Sequence, residues 1–205
     1  MLVLDRRDRP VEDDFISIIA TAEIEGERLP DEVVISFFRQ LMNAGGDTSF
    51  NGFSTVLAAL LTHPDQLEAV RQDRSLVPRA IEEGLRWNSP VPAIFRTPAA
   101  PVEIGGVGIE PGDVMHVMLA SANRDEKAYP NPDAFDISRG ARGHAAFGLG
   151  PHICIGQHLA RAEMTQALNT LLDRFPRLRL DPDHPAPEVS GFHLRGPDQL
   201  HVRFD

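Results

Sequence analysis

The chain has 205 residues, 42% of them apolar and 24% charged, with a formal net charge of -10 and one cysteine. That is enough for one domain whose core buries about 70% of the unfolded surface. Phosphate contacts need clustered lysine and arginine, so an acidic chain with short basic runs only at 6–9 and 174–179 is not a general nucleic-acid binder; one cysteine excludes an internal disulfide framework, and no run of about 18 apolar residues offers a membrane span.

Residues 1–10 are charged and close at Pro10, without an apolar signal core, which makes the cytoplasm the expected location. Phe15, Ile18 and Ile19, behind Asp13 and Asp14, predict a short helix, and 26–30 reads as a turn. The longest pattern runs over 31–63, with Val33, Val34, Phe37, Phe38 and Leu41, then Phe53, Val56, Leu57, Leu60 and Leu61, in helical phase; it stops before Pro64. At about 1.5 Å per residue it crosses a whole domain, and apolar residues around much of its circumference predict a central, buried helix. Gly45-Gly46 interrupts it, followed by Asp47-Thr48-Ser49. Each glycine costs about 1 kcal/mol against alanine, and the short polar residues compete for backbone hydrogen bonds. The interruption reads as a kink or close helix crossing, or as a local opening over a ligand with a carboxylate and a hydroxyl side by side to handle protons.

Further short helices are predicted over 64–72 and 78–87, the second with Glu83 and Arg86 at i, i+3. An exposed pair at that spacing contributes only about 0.2–0.5 kcal/mol, and alone it reads as surface decoration. From 93 to 118 the pattern turns to short alternating runs, Val102-Glu103-Ile104, the hairpin signal Gly105-Gly106, and 114–118 after Pro111-Gly112, which together predict a small antiparallel sheet. Residues 119–146 read as a long ordered meander, a length that a compact domain keeps only for a site. Helical phase returns over 156–175. The tail reads as short strands at 178–180, 189–194 and 200–204, with turns at Asp181-Pro182 and Gly196-Pro197.

The meander ends in Phe147-Gly148-Leu149-Gly150-Pro151-His152-Ile153-Cys154-Ile155-Gly156. A stiff loop opening directly into a helix sets Cys154 near the helix N-terminus, where peptide dipoles favour the thiolate, the form that binds a soft metal. Phe147 offers flat apolar cover, while Gly148, Gly150 and Gly156 let the backbone approach a broad planar ligand such as a haem. The thiol taken alone has two other readings: a small core hydrophobe, or a nucleophile served by His144, His152 or His158.

Read as Phe-x-x-Gly-x-x-x-Cys-x-Gly, the decapeptide resembles the haem-ligand signature of the cytochrome P-450 family, with every fixed position filled. Ala44-Gly45-Gly46-Asp47-Thr48-Ser49 resembles its oxygen-activation motif. Glu83-x-x-Arg86, followed by Pro90, Pro92 and Arg96, lies between them in the order this family uses. The resemblance covers almost the whole chain, looks like the bacterial soluble branch, and corresponds to about the second half of a full member.

That resemblance implies a mainly α fold with small antiparallel β-sheets: the long central helix, proximal ligand loop and following helix of the C-terminal portion of the P-450 fold, in one partial haem-binding domain over 1–205. It implies haem b, with Cys154 as its proximal thiolate and metal ligand. Phe147, Gly148, Gly150, Gly156, Ala44 and Gly45 would lie against the cofactor, and Arg96 and His144 would pair with its propionates. Glu83, Arg86 and Arg139 would form a buried ion network fixing the loop. Thr48 and Asp47 would be catalytic, handling protons for dioxygen activation. Gln40, Asn43, Ile94 and Phe192 would line a pocket for a small organic molecule with a polar handle. The implied activity inserts one oxygen atom of dioxygen into that substrate. Electrons would come from NAD(P)H through a reductase and a ferredoxin or flavodoxin-type donor, received around His152, Arg142, Arg161 and Arg71. The alternative is a truncated or split, catalytically incompetent haem-binding fragment, whose partner is a missing N-terminal half supplied by another chain.

Overall fold

The computed structural model describes residues 2–11, 13–140 and 143–205, in two units, Met1–Asp47 and Thr48–Asp205. In the first unit, helix α1 (Leu2–Asp8) occupies the charged stretch where the pattern predicts no element, and α2 (Phe15–Ala20) is the short helix predicted there. Asp14 caps α2, accepting from the backbone N–H groups of Ile16 and Ser17 at 3.3 and 3.2 Å. The same carboxylate receives Arg6 Nε from α1 at 2.9 Å, which ties the two helices together. Strands β1 (Glu23–Ile24) and β2 (Glu27–Arg28) pair around Glu25-Gly26, whose φ values of 55° and 84° suit a type I′ turn. The turn predicted over 26–30 is therefore part of a small hairpin.

Helix α3 (Asp31–Thr62) is continuous. Gly45-Gly46 neither breaks nor opens it, and a Cβ at either position would meet nothing within 4 Å, so no close crossing requires the glycines. Their combined cost of about 2 kcal/mol is spread along a hydrogen-bond ladder that propagates easily once nucleated. Burial is uneven along it. Val34 is buried, but Val33, Phe37, Met42 and Phe50 are exposed, whereas Val56, Ala58, Ala59, Leu60 and Leu61 are buried. The expectation of a central, buried helix holds for its C-terminal half only.

In the second unit, that half of α3 packs in one core with α4 (Pro64–Gln72), α5 (Val77–Trp87), Phe135, Ile137 and the long C-terminal helix (Gln157–Arg174). Gly84 shows how closely α5 approaches α3: a Cβ there would stand 2.7 Å from Val56 Cγ2 and 3.1 Å from Val56 Cα. Strands β3 (Ile94–Arg96) and β6 (Met115–Val117) pair antiparallel with Phe95 opposite His116, and β4 (Val102–Ile104) pairs with β5 (Val107–Ile109). Gly105 and Gly106 turn that hairpin at φ 59° and 81°. The single small sheet expected here is two separate ladders.

The meander contains one short helix, α6 (Leu119–Ala122), and 3₁₀ turns at Ile137–Arg139 and Ala145–Phe147; a third, Gly150–His152, precedes the C-terminal helix, here α7. In the tail, β7 (Arg179–Leu180) pairs with β10 (Val202–Arg203), and β8 (Val189–Ser190) with β9 (Gly196–Pro197). Gly196-Pro197 is thus a strand and not the expected turn, because proline is tolerated at the edge of a two-stranded ladder. No helix among the described residues is long and apolar enough to cross a membrane.

Gly84→Ala is expected to destabilise the chain by about 1–3 kcal/mol, because the neighbour it meets is α3 backbone as well as side chain. Gly45→Ala, in open space, is expected to gain about 1 kcal/mol. Urea midpoints at unchanged m-value measure both.

Candidate functional site

Glu83 and Arg86 lie one turn apart on α5 and are 0% exposed. Arg86 Nε and Nη2 donate to the two Glu83 oxygens at 2.8 Å each, a bidentate, charge-assisted pair. The remaining donors reach meander carbonyls: Nη1 to Asn123 and Pro132 at 2.8 and 2.9 Å, and Nη2 to Ala134 at 3.1 Å. Glu83 Oε1 also accepts the Asp136 N–H at 2.9 Å and Arg139 Nε at 3.3 Å, and Arg139 continues to the carbonyls of Pro130, Asn131 and Ala134. The pair is therefore not surface decoration. It supplies hydrogen bonds to an irregular, partly buried backbone that has no helix or strand partner there.

Asn123, for which the sequence carried no expectation, extends this network. Its Nδ2 donates to Ser89 Oγ at 2.8 Å, and its Oδ1 accepts the Ala145 N–H at 2.6 Å. One buried amide so joins the end of α5 to the start of the ligand loop; ahead of Arg124-Asp125, an asparagine reads as ordinary loop polarity.

Arg142, expected on the electron-donor surface, lies outside the described residues. His144 caps the 3₁₀ turn Ala145–Phe147: its Nδ1 accepts the Ala146 N–H at 3.2 Å, which leaves the ring proton on Nε2, 3.1 Å from Glu82 Oε2. Both ring nitrogens are committed within the chain, so a propionate pairing at His144 would displace Glu82. Gly148 and Gly150 have φ of 71° and 77°, in the left-handed region that glycine enters without strain. The Cys154 N–H returns to the Phe147 carbonyl at 2.8 Å, and the Cys154 carbonyl receives the Gln157 N–H at the start of α7.

Cys154 is exposed, with Leu149, Ile153 and Ile155 exposed in the same loop. The core-hydrophobe reading of the thiol is excluded, and the nucleophile reading has no described histidine bonded to it: His144 is engaged by Glu82 and Ala146. Among the described residues no three His, Cys, Asp or Glu side chains gather into a metal cluster. A lone thiolate does not hold a bare ion, which takes several protein ligands. It does suit a metal carried in a macrocycle that fills the other positions, and the bare glycines and apolar rim suit the flat face of that ligand. These residues fit a haem.

A second cluster, which the sequence reading did not foresee, lies behind Phe147. Arg161 Nε and Nη2 donate to Glu82 Oε1 and Oε2 at 2.6 and 2.9 Å, and the guanidinium carbon stands 4.3 Å from the Phe147 ring centre. Burial pushes the Glu82 carboxyl up, but hydrogen bonds from His144 and Arg161 outweigh it and hold the group down at about 2. On the expected donor surface, then, Arg161 is already paired, and Arg71 is bonded to Glu68 and the Leu178 carbonyl.

Of the remaining expected residues, Gln40, Asn43, Ala44, Gly45, Asp47 and Thr48 are on α3, and Arg96, Ile94 and Phe192 gather at the β3–β6 ladder, where the Phe192 ring stands 6.1 Å from that of His116. Arg96, exposed on β3, donates Nη1 to the Phe95 carbonyl at 2.7 Å. Ile94 is half-buried and Phe192 exposed. Asn43 lines a cavity of about 420 Å³ in the first unit with Val3, Ile35, Phe38, Arg39 and Met42; Gln40 is exposed and outside it. Ala44, Gly45 and Asp47 are exposed on α3, and Thr48 is half-buried, about 100° round the helix from Asp47.

Comparison with known proteins decides the family: the family model for cytochrome P-450 matches residues 4–199. The chain belongs to the cytochrome P-450 family. It is 42% identical to cytochrome P-450 107B1 of Saccharopolyspora erythraea, covering 98% of this chain and 50% of that protein. It is also 42% identical to 6-deoxyerythronolide B hydroxylase of the same organism, covering 100% of this chain and 51% of that protein. The solved structure of cytochrome P-450 CYP109Q5 from Chondromyces apiculatus superposes with a TM-score of 0.91 at 42% identity, over 98% of this chain and 52% of that one. The chain spans about half the length of the relatives it matches. Its mainly helical architecture with small antiparallel sheets is a partial P-450 fold.

Glu83→Ala leaves the Arg86 charge buried and unpaired and is expected to destabilise by about 3–5 kcal/mol, measured by chemical denaturation. The Glu82 carboxyl sets a pH dependence. The unfolded chain takes up a proton near the ordinary 4.5, the folded chain only near 2, so stability falls as pH drops through that window. In Glu82→Gln, acid titration of stability is expected to be flatter there.

Proposed function

We propose that this chain is the haem-binding part of a haem-thiolate monooxygenase that inserts one oxygen atom of dioxygen into a small organic substrate. The observation that carries the reading is Cys154: an exposed, lone metal donor before the first turn of α7, with its amide held by Phe147. Relatives named as hydroxylases and monooxygenases support the reaction class.

In this reading Cys154 Sγ would ligate the iron of haem b as a thiolate, Phe147, Gly148, Gly150 and Gly156 would lie against the cofactor, and the family motif assigns Ala44 and Gly45 to the same cofactor. Arg96 turns from the Phe95 carbonyl to a propionate, and His144 joins it only by releasing Glu82. Haem bound there supplies dioxygen binding and cleavage of the O–O bond, aided by electron donation from the thiolate. Asp47, exposed, exchanges protons with solvent, and Thr48 Oγ1 delivers them into the pocket. Substrate contacts are proposed for Gln40 and Asn43 in the first unit and, separately, for Ile94 and Phe192 in the second. Electrons arrive from NAD(P)H through a reductase and a ferredoxin or flavodoxin-type donor, in the cytoplasm, and 1–205 acts as one haem-binding domain.

A second reading rests on the chain's coverage of half of its relatives and on the uncovered apolar side chains of Met42, Phe50, Ile155 and Leu159. In it the chain is a split or truncated fragment that is incompetent alone and completed by an N-terminal half from another chain.

The purified chain mixed with haem, reduced and exposed to carbon monoxide, is expected to show the red-shifted Soret band of thiolate ligation, and Cys154→Ser to lack it. No such band in the unaltered chain sinks the first reading; a band that appears only on adding the N-terminal half of a relative supports the second. Thr48→Ala is expected to uncouple electron consumption from product formation, and unchanged coupling would remove Thr48 from the proton path.

A further inference from the structure

The Glu83–Arg86 network holds the meander, but it does not touch the segment between Phe147 and Cys154. The cluster behind Phe147 does. Arg161 makes bonds in three directions: its fork goes to Glu82, its Nη1 goes to Gln157 Oε1 at 3.0 Å and the Gln157 carbonyl at 3.3 Å, and its flat face lies over Phe147. Phe147 and Gln157 are the two residues whose backbones hold Cys154, one through the Cys154 N–H and the other through the Cys154 carbonyl. His144 closes the arrangement from the other side, bonded to Glu82 with its ring 5.9 Å from that of Phe147.

We propose that Glu82 and Arg161 are positioning residues for the Cys154 thiolate. The carboxylate holds the guanidinium flat against Phe147 and thereby orients the thiol-bearing loop. The guanidinium adds a positive charge behind the thiol-bearing loop, and Glu82 offsets part of it. This deepens the haem-thiolate reading and rests on it. The Arg161 guanidinium is held protonated above its ordinary range, first by its hydrogen bond to Glu82, and it reaches the thiol-bearing loop through Phe147 and Gln157. A cation beside a thiolate ligand weakens its donation to the metal, and such surrounding groups tune metal centres as the ligands themselves do.

The charge assignment has a signature that a merely structural role lacks. Reduction adds negative charge, so in the haem-loaded chain Arg161→Gln is expected to shift the reduction potential to more negative values. Glu82→Gln, which leaves the cation uncompensated, is expected to shift it to more positive values. Arg161→Lys keeps the charge and is expected to stay near the unaltered chain. A second measurement needs no haem: hydrogen exchange of the Cys154 amide in the haem-free chain. Glu82→Gln and Arg161→Gln are expected to accelerate it by on the order of tenfold, with Leu168 in the core of α7 unchanged as the control for folding. Should a glutamine variant lose Leu168 protection, Arg161→Lys decides, with faster Cys154 exchange expected because the flat contact with Phe147 is lost. Shifts of both potentials in one direction, or Cys154 exchange unaltered in all three variants, would overturn the proposal. Failure of the unaltered chain to take up haem would count against the monooxygenase reading, while the exchange measurement still decides whether the loop is positioned as proposed.

Discussion

An arginine with no solvent access tolerates no unpaired donor, and Arg86 satisfies that constraint by gathering the chain around itself. Its fork binds Glu83, and its other donors draw in carbonyls from three points of the meander, Asn123, Pro132 and Ala134. Those carbonyls have no strand or helix partner. Without such a centre the carbonyls that lie away from water would be left unsatisfied, each costing about 1–3 kcal/mol where fully buried. The ion pair is thus less an added attraction than the condition under which residues 123–139 can be ordered at all.

From that centre the constraint passes toward the thiol in steps. Asn123 carries it to Ala145, His144 caps the next turn, and the Phe147 carbonyl takes the Cys154 amide. The rear of the loop is filled with hydrogen bonds, while its front presents glycine backbone, exposed apolar side chains and one sulfur. Such asymmetry suits a ligand site, since a donor is useful only when its direction is fixed before the ligand arrives.

How much of this was legible in the sequence depended on the range of the interaction. Helix 64–72 was legible because proline starts it and apolar residues recur along one face, and the Gly105-Gly106 hairpin because a type I′ turn calls for residues at positive φ. The turns of the glycine-rich loop before α7 were legible because Gly148 and Gly150 act locally, each at positive φ. The Glu82–Arg161 fork was not, since its partners are 79 residues apart and neither breaks a local pattern. Asn123 was lost for the same reason. Helix α3 misled differently: apolar periodicity measures what a helix can bury, and the exposure of Met42 and Phe50 depends on what covers them. Helix α1 went unpredicted because its seven residues carry too few apolar positions to show a period.

The exposure of Cys154 also bears on the chemistry of the chain before any ligand reaches it. These 205 residues contain no second cysteine, so within them the thiol has no disulfide partner. A disulfide there joins it to a thiol outside these residues, a small thiol or the same loop of another copy among them, and harsher oxidants take it to sulfur acids that no longer ligate a metal as a thiolate does. Once a metal is bound, the same sulfur is shielded by its ligand bond. In the haem-thiolate reading proposed above, cofactor loading is therefore also a protection against covalent dimers and irreversible oxidation.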